Sequence, residues 1–390
     1  MSSTNYNSKM VNLKGFCVKK INNYSDCTKI YGQMEIKEHK CPCCGQRTSK
    51  IHDYRTQEIK DISAFGKKIY IVIRKRRYVC THCGKRFTEK IPFLSKYQRM
   101  TKRLIYLIID KLKDVVSFTY IAKEMNISVS TVIRIFDNVN YAKPELPEVI
   151  GIDEFKGNTD GEKYQCIITD IKNKKVIDIL PVRYEHYLVD YFKPCKRKNT
   201  KYFVSDMWVP YANIAKTYFK KAKYVIDKYH FVRQVTWAFE AVRKEVQKRF
   251  IKEKRKYLKR SKSLLLKRYS ELDSDSKQAV MVMLDSSNDL YNAYILKEYF
   301  YEMMKSKNKK EAKKRISDWI FSAENSGLSR FIKCAETMRR WIDSITNAFD
   351  CNYTNGFTEG SNNKIKVLKR NAFGYRNFKR FRNRILHIFA

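Results

Sequence analysis

The chain has 390 residues, with 81 Lys+Arg against 40 Asp+Glu and a formal net charge of +41. That length suits two or three domains, and a 43% apolar share is enough for packed cores, which excludes a disordered basic tail. So large an excess of one sign repels itself in a compact fold unless a polyanion is bound. Nucleic acid is the first candidate, ahead of an acidic membrane surface.

No segment approaches the roughly 18 apolar residues of a membrane helix; the longest, Leu104 to Ile109, has six. The opening MSSTNYNSKM has no apolar run behind a basic region. We therefore expect no secretory leader, no membrane partner, and a cytoplasmic, nucleoid-associated protein. Seven of the eleven cysteines fall in the first 83 residues. In a reducing compartment such clustering points to metal binding rather than disulfides.

The first motif is a pair of knuckles. Cys41-Pro42-Cys43-Cys44-Gly45 and Cys80-Thr81-His82-Cys83-Gly84 each hold a C-x-x-C followed by glycine. Each turn aims two thiolates at one point, so Cys41, Cys44, Cys80 and Cys83 are expected to form a closed tetrahedral site for structural zinc. Cys43, His52 and His82 are substitute ligands. Lys67–Tyr78 between the knuckles reads as a strand, as in a zinc ribbon, and its basic run Arg74-Lys75-Arg76-Arg77 is placed to meet phosphates or to be a solvated face.

Leu104–Leu112 has apolar residues at helical spacing, and Phe118–Phe136 follows with a helix, a short turn at Asn126 and a second helix capped by Ser128 or Ser130. Val132, Ile135 and Phe136 face inward, which leaves Ser130, Thr131 and Arg134 outward. That is the layout of a DNA-reading helix-turn-helix; an ordinary helical hairpin is the plainer alternative.

After Pro144–Pro147 come three strands, Val149–Phe155, Tyr164–Thr169 and Val176–Leu180, then a helix over Tyr184–Phe192. Tyr202–Val204 is an apolar strand running into Asp206, and Lys223–Ile226 precedes Asp227 and His230. The stretch 211–326 holds neither Pro nor Gly, which argues for helices broken by polar turns at Asp273–Ser276 and Asp285–Asn288. Within it Trp237, Phe239, Val242 and Val246 read as one buried face on a basic helical surface that is either solvated or a clamp on DNA. Glu359 then opens a basic helix, and Lys364–Arg384 carries nine Lys/Arg and no acid, with Phe373, Tyr375, Phe378 and Phe381 interleaved. Lys364, Lys366, Lys369, Arg370 and Arg376 are expected on phosphates.

A meander of three strands, a helix and alternating strands is the ribonuclease-H-like plan. Its chemistry brings carboxylates from two strand ends and a later helix onto two Mg²⁺ or Mn²⁺ ions for phosphodiester displacement. The order Asp153, Asp206, Glu359 fits it. On the knuckles, Gly151-Ile152-Asp153-Glu154-Phe155, Ser205–Tyr211, Asp227–Phe231, Thr354–Lys366 and Arg370–Tyr375, the chain resembles bacterial insertion-sequence transposases of the DDE class, most of all the ISL-three family. The resemblance implies that Asp153, Asp206 and Glu359 are the catalytic, magnesium-holding triad and that the helices before Glu359 are an insertion. The family pattern has Asp and His near positions 227 and 230, which marks Asp227 and His230 as accessory; His230 would contact DNA, orient a nearby group, or be a structural histidine at a strand-to-helix junction.

The expected fold is multidomain: a zinc ribbon with an N-terminal extension at 1–93, a helix-turn-helix at 94–145, and a ribonuclease-H-like catalytic domain at 146–235 and 346–390, interrupted by an all-helical insertion at 236–345. The expected function is binding of terminal inverted repeats, strand cleavage and strand transfer into target DNA by a homodimer on DNA. A sequence-specific regulator with an inert domain is the rival, and an RNA-directed nuclease of the same fold the third reading.

Overall fold

The computed structural model describes residues 8–390, without the side chain of Lys254. Its first sheet contains β1 (Phe16–Asn23), β2 (Cys27–Met34), β5 (Ile51–Ala64), β6 (Lys67–Val79) and β7 (Arg86–Thr88), in the order β1-β2-β6-β5 with β7 also on β6. The two-residue strands β3 (His39–Lys40) and β4 (Arg47–Thr48) pair separately around the first knuckle. Alternation along β6 turns Ile69, Ile71 and Ile73 to one face, against Phe16, Val18, Ile30 and Ile59. The N-terminal extension is thus part of the ribbon's own sheet, with β2 parallel to β6. The long β5–β6 hairpin also explains the wide knuckle spacing, because it is inserted between them.

Three helices follow: α1 (Lys102–Lys111), α2 (Phe118–Glu124) and α3 (Val129–Phe136). Each begins on a hydroxyl that accepts an N–H of its first turn: Thr101 from Leu104, Ser117 from Tyr120, Ser128 from Thr131. Asn126 makes the turn between α2 and α3 at φ +54, a left-handed conformation that asparagine tolerates. Val132 and Phe136 are buried, while Ser130 and Arg134 are exposed and Thr131 is half-buried.

The second sheet has the order β10-β9-β8-β11-β12, built from β8 (Val149–Thr159), β9 (Glu162–Asp170), β10 (Lys175–Leu180), β11 (Tyr202–Ser205) and β12 (Lys223–Ile226). β8, β9 and β10 form an antiparallel meander, and β11 and β12 run parallel to β8. Ile150, Ile152, Cys166, Ile168 and Phe203 face α4 (Glu185–Phe192) and α5 (Val209–Tyr218). On the opposite face, Val149, Val204 and Val225 join a helical core.

That core is made by α6 (Lys228–Lys248), α7 (Lys252–Arg260), α8 (Lys262–Leu266), α9 (Ser274–Leu284), α10 (Asn288–Met303), α11 (Lys309–Glu324) and α12 (Ser329–Asn347). The expected polar turns are present: Asp273 caps α9 and Ser287 caps α10. The expected boundary at 235/236 falls inside α6, where no residue breaks the helix. Trp237 is a correction. It is 54% exposed, while Phe239, Val242 and Val246 are buried. Residues two apart on a helix lie about 200° apart, so Trp237 and Phe239 cannot share a face. At the centre of the block, buried Lys297 donates to the carbonyls of Leu265 and Lys267 at 2.8 Å each and pairs with Glu298, which closes the end of α8.

The chain ends with α13 (Gly356–Asn371) and α14 (Phe378–Ile388). Ile365, Leu368, Tyr375, Phe381 and Ile385 share one core with Leu104, Ile108, Ile121, Val132 and Phe136. The helix-turn-helix and the C-terminal helices are therefore packed as one body, with no break in packing at 145.

Candidate active site

The four cysteine sulfurs lie within 4.8 Å of one another, the one such group of His, Cys, Asp and Glu ligand atoms among the described residues. Cys41 and Cys83 are 3.6 Å apart and Cys44 and Cys80 are 3.5 Å apart. A tetrahedron with zinc–sulfur bonds of about 2.3 Å has edges of about 3.8 Å, so the donor set fits structural zinc. The two knuckles are built alike. Gly45 N–H donates to the Cys41 carbonyl and Gly84 N–H to the Cys80 carbonyl, both at 3.0 Å. Gly45 at φ +76 and Gly84 at φ +69 occupy backbone that a side chain would strain. The Cys83 amide draws the Cys80 thiol down to about 6 and the Cys44 amide lowers Cys41, while, against the amides of Gln46 and Lys85, burial and the neighbouring sulfurs raise Cys44, and raise Cys83 to about 12. Cys43, His52 and His82 are outside this cluster.

The basic run on β6 is mostly engaged inside the fold. Arg76 is a correction to its expected DNA contact. It is 1% exposed, pairs with Glu89 at 3.3 Å and donates to the Met34 carbonyl at 2.9 Å. Alternation puts Arg76 on the face opposite its neighbours, and Glu89 gives it a buried partner. Arg77 pairs with Asp53 at 2.8 Å, Arg74 stacks on Tyr54, and Lys75 reaches Gln57.

Asp153 on β8, Asp206 just past β11 and Glu359 on α13 line one open cavity of about 1200 Å³. Adjacent parallel strands β8 and β11 bring the first two together. Gly151 on β8 leaves room for this packing, since a Cβ there would stand 2.5 Å from Thr169 Oγ1. Thr169 in turn bonds Thr358 at 2.8 Å, next to Glu359. Buried Asp227 accepts the Asn355 N–H at 3.2 Å, and Asn355 Nδ2 donates to the Ile152 carbonyl at 3.3 Å. These contacts tie the start of α13 to the strand that carries Asp153.

Burial pushes Asp153 up to about 7, opposed by the Glu154 amide and reinforced by the charges of Glu154, Asp206 and Glu359. Asp206 is also raised to about 7, first by burial and then by Glu154. Burial holds these clustered carboxyls back from ionising more than Arg233 and Arg183 draw Asp206 down, and hard oxygen donors are the ligands that Mg²⁺ and Mn²⁺ take. The residues fit such ions. The three acids do not all come within 4.8 Å of one another.

Three residues of the site had no expected role: Asn362, within the Thr354–Lys366 block, and Arg183 and Arg233, outside every motif. Asn362 Nδ2 donates to Asp153 Oδ2 at 2.9 Å and is one helical turn from Glu359. Arg183 holds Glu154 at 2.9 Å and stacks against Tyr164 and Trp208. Arg233 donates to His230 Nδ1 at 3.3 Å, which leaves the ring proton on Nε2. Burial and Arg233 lower His230 to about 4, so it is neutral at pH 7. The spacing Glu359-x-x-Asn362 was the available signal for Asn362. Nothing local marks Arg183 or Arg233.

Of the tail cations, Lys366, Lys369, Arg370 and Arg376 line the same cavity. Lys364 does not; its ammonium lies over Phe389. Ser130 and Arg134 are exposed on α3, away from the cavity lining.

Comparison with known proteins gives three consecutive matches. A transposase profile of the DDE ISL3 type covers residues 150–385. The profile for the zinc-finger of transposases IS204/IS1001/IS1096/IS1165 covers 37–83, and that for the helix-turn-helix domain of transposase family ISL3 covers 89–140. The chain belongs to the ISL3 transposase family. It is 24% identical over 363 residues to the transposase for insertion sequence element IS1001 of Bordetella parapertussis, covering 90% of this chain and 89% of that protein. It is 29% identical over 125 residues to the IS1557 transposase of Mycobacterium tuberculosis, 32% of this chain and 28% of that protein. A third likeness, to the transcriptional repressor NrdR of Geobacter sulfurreducens, is 30% identical over 138 residues, 34% of this chain and 79% of that protein. This ISL3 chain is thus an insertion-sequence transposase with a zinc ribbon and a DNA-binding helix-turn-helix. No helix among the described residues is long and apolar enough to cross a membrane.

Proposed function

We propose that this transposase cuts and joins DNA through a DDE triad of Asp153, Asp206 and Glu359 on a ribonuclease-H-like sheet. The observation that carries the reading is one cavity lined by all three acids and, farther along α13, by Lys366, Lys369, Arg370 and Arg376. The strand order supports it, with an antiparallel meander extended by two parallel strands. The helices from α6 to α12 are then an insertion between the second acid and the third.

Asp153, Asp206 and Glu359 would hold two Mg²⁺ or Mn²⁺ ions. Bound there, the ions activate the attacking oxygen and stabilise the leaving one. The chain's own groups do the rest. Asn362 fixes one oxygen of Asp153, and Arg183 pairs with Glu154 and so offsets part of the charge it sets beside the two aspartates. The tail cations hold the DNA backbone, while His230, as a neutral Nε2 donor, faces the bound strand. Water displaces the 3′ oxygen at the element's end, which takes up a proton and leaves as a 3′-OH. That hydroxyl then attacks a target phosphodiester, one P–O bond forming as another breaks.

Ser130, Thr131 and Arg134 on α3 would read the terminal repeat in a major groove, with two protomers on paired ends. The decisive experiment is Mg²⁺-dependent nicking of duplexes carrying the element's ends. Asp153→Ala, Asp206→Ala and Glu359→Ala each abolish nicking and leave end binding intact. Nicking that survives all three replacements refutes the triad. End binding by the wild-type protein with no nicking at all would favour the regulator.

A further inference from the structure

Between α13 and α14 the chain turns at Ala372-Phe373-Gly374-Tyr375, and the two rings of that turn have opposite fates. Tyr375 is buried, stacked on Phe381 at 4.7 Å and edge-on to Phe118. Phe373 is 100% exposed. Its backbone is left-handed, at φ +54, where a non-glycine residue is strained and a bulky one more so. No packing contact offsets that strain.

The turn itself is fixed on every side. Phe373 N–H donates to the Arg370 carbonyl at 3.1 Å and Gly374 N–H to the Lys369 carbonyl at 2.9 Å. Asp160 N–H donates to the Arg376 carbonyl at 3.0 Å, and Lys369 Nζ to the Lys156 carbonyl at 2.6 Å. The ring is therefore held out on a rigid mount. It lines the cavity that contains the acids, beside Lys366, Lys369, Arg370 and Arg376. Among the described residues, none of these four cations is in a salt bridge.

An apolar ring standing in a collar of unpaired cations suits DNA better than an apolar protein partner. The cations match phosphates, and the ring has only the base stack to enter. Along α13, Phe373 stands about 20 Å from Glu359 at 1.5 Å per residue. At about 3.4 Å per base step, that is about six steps of duplex.

We propose that Phe373 is a wedge that enters the base stack of the bound duplex, about six steps from the phosphate facing the acids. Its ligand is double-stranded DNA opened at one step and kinked there, in the manner of apolar wedges that trade unstacking for a bent duplex. The proposal rests on the reading of this cavity as the DNA-cleaving site.

The test uses the full-length protein and duplexes of the element's end with its flank, each with 2-aminopurine at one successive position. This base brightens when its stacking is broken. With the wild-type protein, brightening is expected at one step about six from the cut, and Phe373→Trp retains it. Phe373→Asn removes it and weakens binding about tenfold, the loss of one aromatic contact to a base. Asparagine accepts positive φ, so this variant folds with a melting temperature at or above that of the wild type. Identical brightening in the wild type and Phe373→Asn overturns the proposal. So does a change in oligomeric state of Phe373→Asn without DNA, which would assign the ring to a second copy of the chain. Wild-type nicking distinguishes the two readings: brightening without nicking sinks the catalytic assignment and keeps the wedge, while nicking without Phe373-dependent brightening does the reverse.

Discussion

Asn362→Ala tests the site at the residue closest to Asp153 that is not itself an acid. The amide donates to Asp153 Oδ2 at 2.9 Å, and Asn362 is 5% exposed, so water does not readily replace it. A hydrogen bond to a charged group contributes about 1.5–3 kcal/mol. At about 1.4 kcal/mol per decade, its loss predicts a nicking rate about 10- to 150-fold lower at pH 7. The loss has two parts: Asp153 is less well aimed, and its carboxyl, already raised to about 7, moves higher and is more often protonated. The second part disappears in alkali. The variant should therefore recover a share of its rate between pH 7 and pH 9, where the wild type gains less. Asn362→Asp should fall further than Asn362→Ala, because it sets a like charge beside Asp153. The assay is single-turnover nicking of an end duplex at subsaturating Mg²⁺, where protons and metal compete for Asp153, with end binding by the zinc-loaded protein measured without added Mg²⁺ to show the fold intact. Wild-type nicking by Asn362→Ala, or a deficit that is the same at every pH, refutes the reasoning.

Three further outcomes are expected. Cys44→Ser should lower bound zinc, measured by atomic emission, and unfold the ribbon while the helical content of the chain persists; unchanged zinc content would refute the four-cysteine site. Arg76→Ala should cost about 3–5 kcal/mol in urea unfolding of the ribbon, because Glu89 is left charged and buried, and Arg76→Met with Glu89→Leu should recover most of it. In the zinc-loaded protein without added Mg²⁺, stability should fall as pH rises from about 4 to about 7. Asp153 and Asp206 ionise near pH 4 when unfolded but near 7 when folded, so the folded state binds more protons across that window. Added Mg²⁺ should raise the melting temperature more at pH 8 than at pH 5; an equal rise would refute the assignment of the raised carboxyls.

The parts of the fold that were legible in the sequence are those whose signal is local. The strand at Lys67–Tyr78 was read from its residues, Ser128 marked a helix start, and Asp273–Ser276 and Asp285–Asn288 marked breaks between helices. The knuckles announced themselves by their glycines at positive φ. The proposed triad was read from three acids on an order of elements that the structure contains, although each alone is an ordinary strand-end or helix residue. What stayed hidden depends on partners distant in the chain. Arg76 looked like one more surface cation until Glu89, thirteen residues on, met it in the core. Lys297 is buried because carbonyls of a helix thirty residues earlier receive it. Trp237 was misread by counting aromatic residues instead of helical angle. Arg183 and Arg233 reach the site from the loop after β10 and from the first turns of α6, with no pattern to flag them.

The packing of the helix-turn-helix against the C-terminal helices was not legible, and the reason is physical. Linkers are visible when composition shifts, as at Pro144–Pro147, but a composition shift does not prevent two segments from packing together. Arg380 makes a two-pronged pair with Asp137 at 2.8 Å, just past α3. Arg384 donates to the carbonyls of Asp114 and Val116 at 2.9 and 2.8 Å. His387 bonds the Ile109 carbonyl through Nε2 and Tyr141 through Nδ1. These polar contacts surround the shared core of α1, α3, α13 and α14. The helix that carries Glu359 therefore leads directly into the one that buttresses the DNA-reading fold. A shift of α3 on binding its site would have to repack this core or carry α13 with it, so the grip on DNA and the placement of the third acid are mechanically joined.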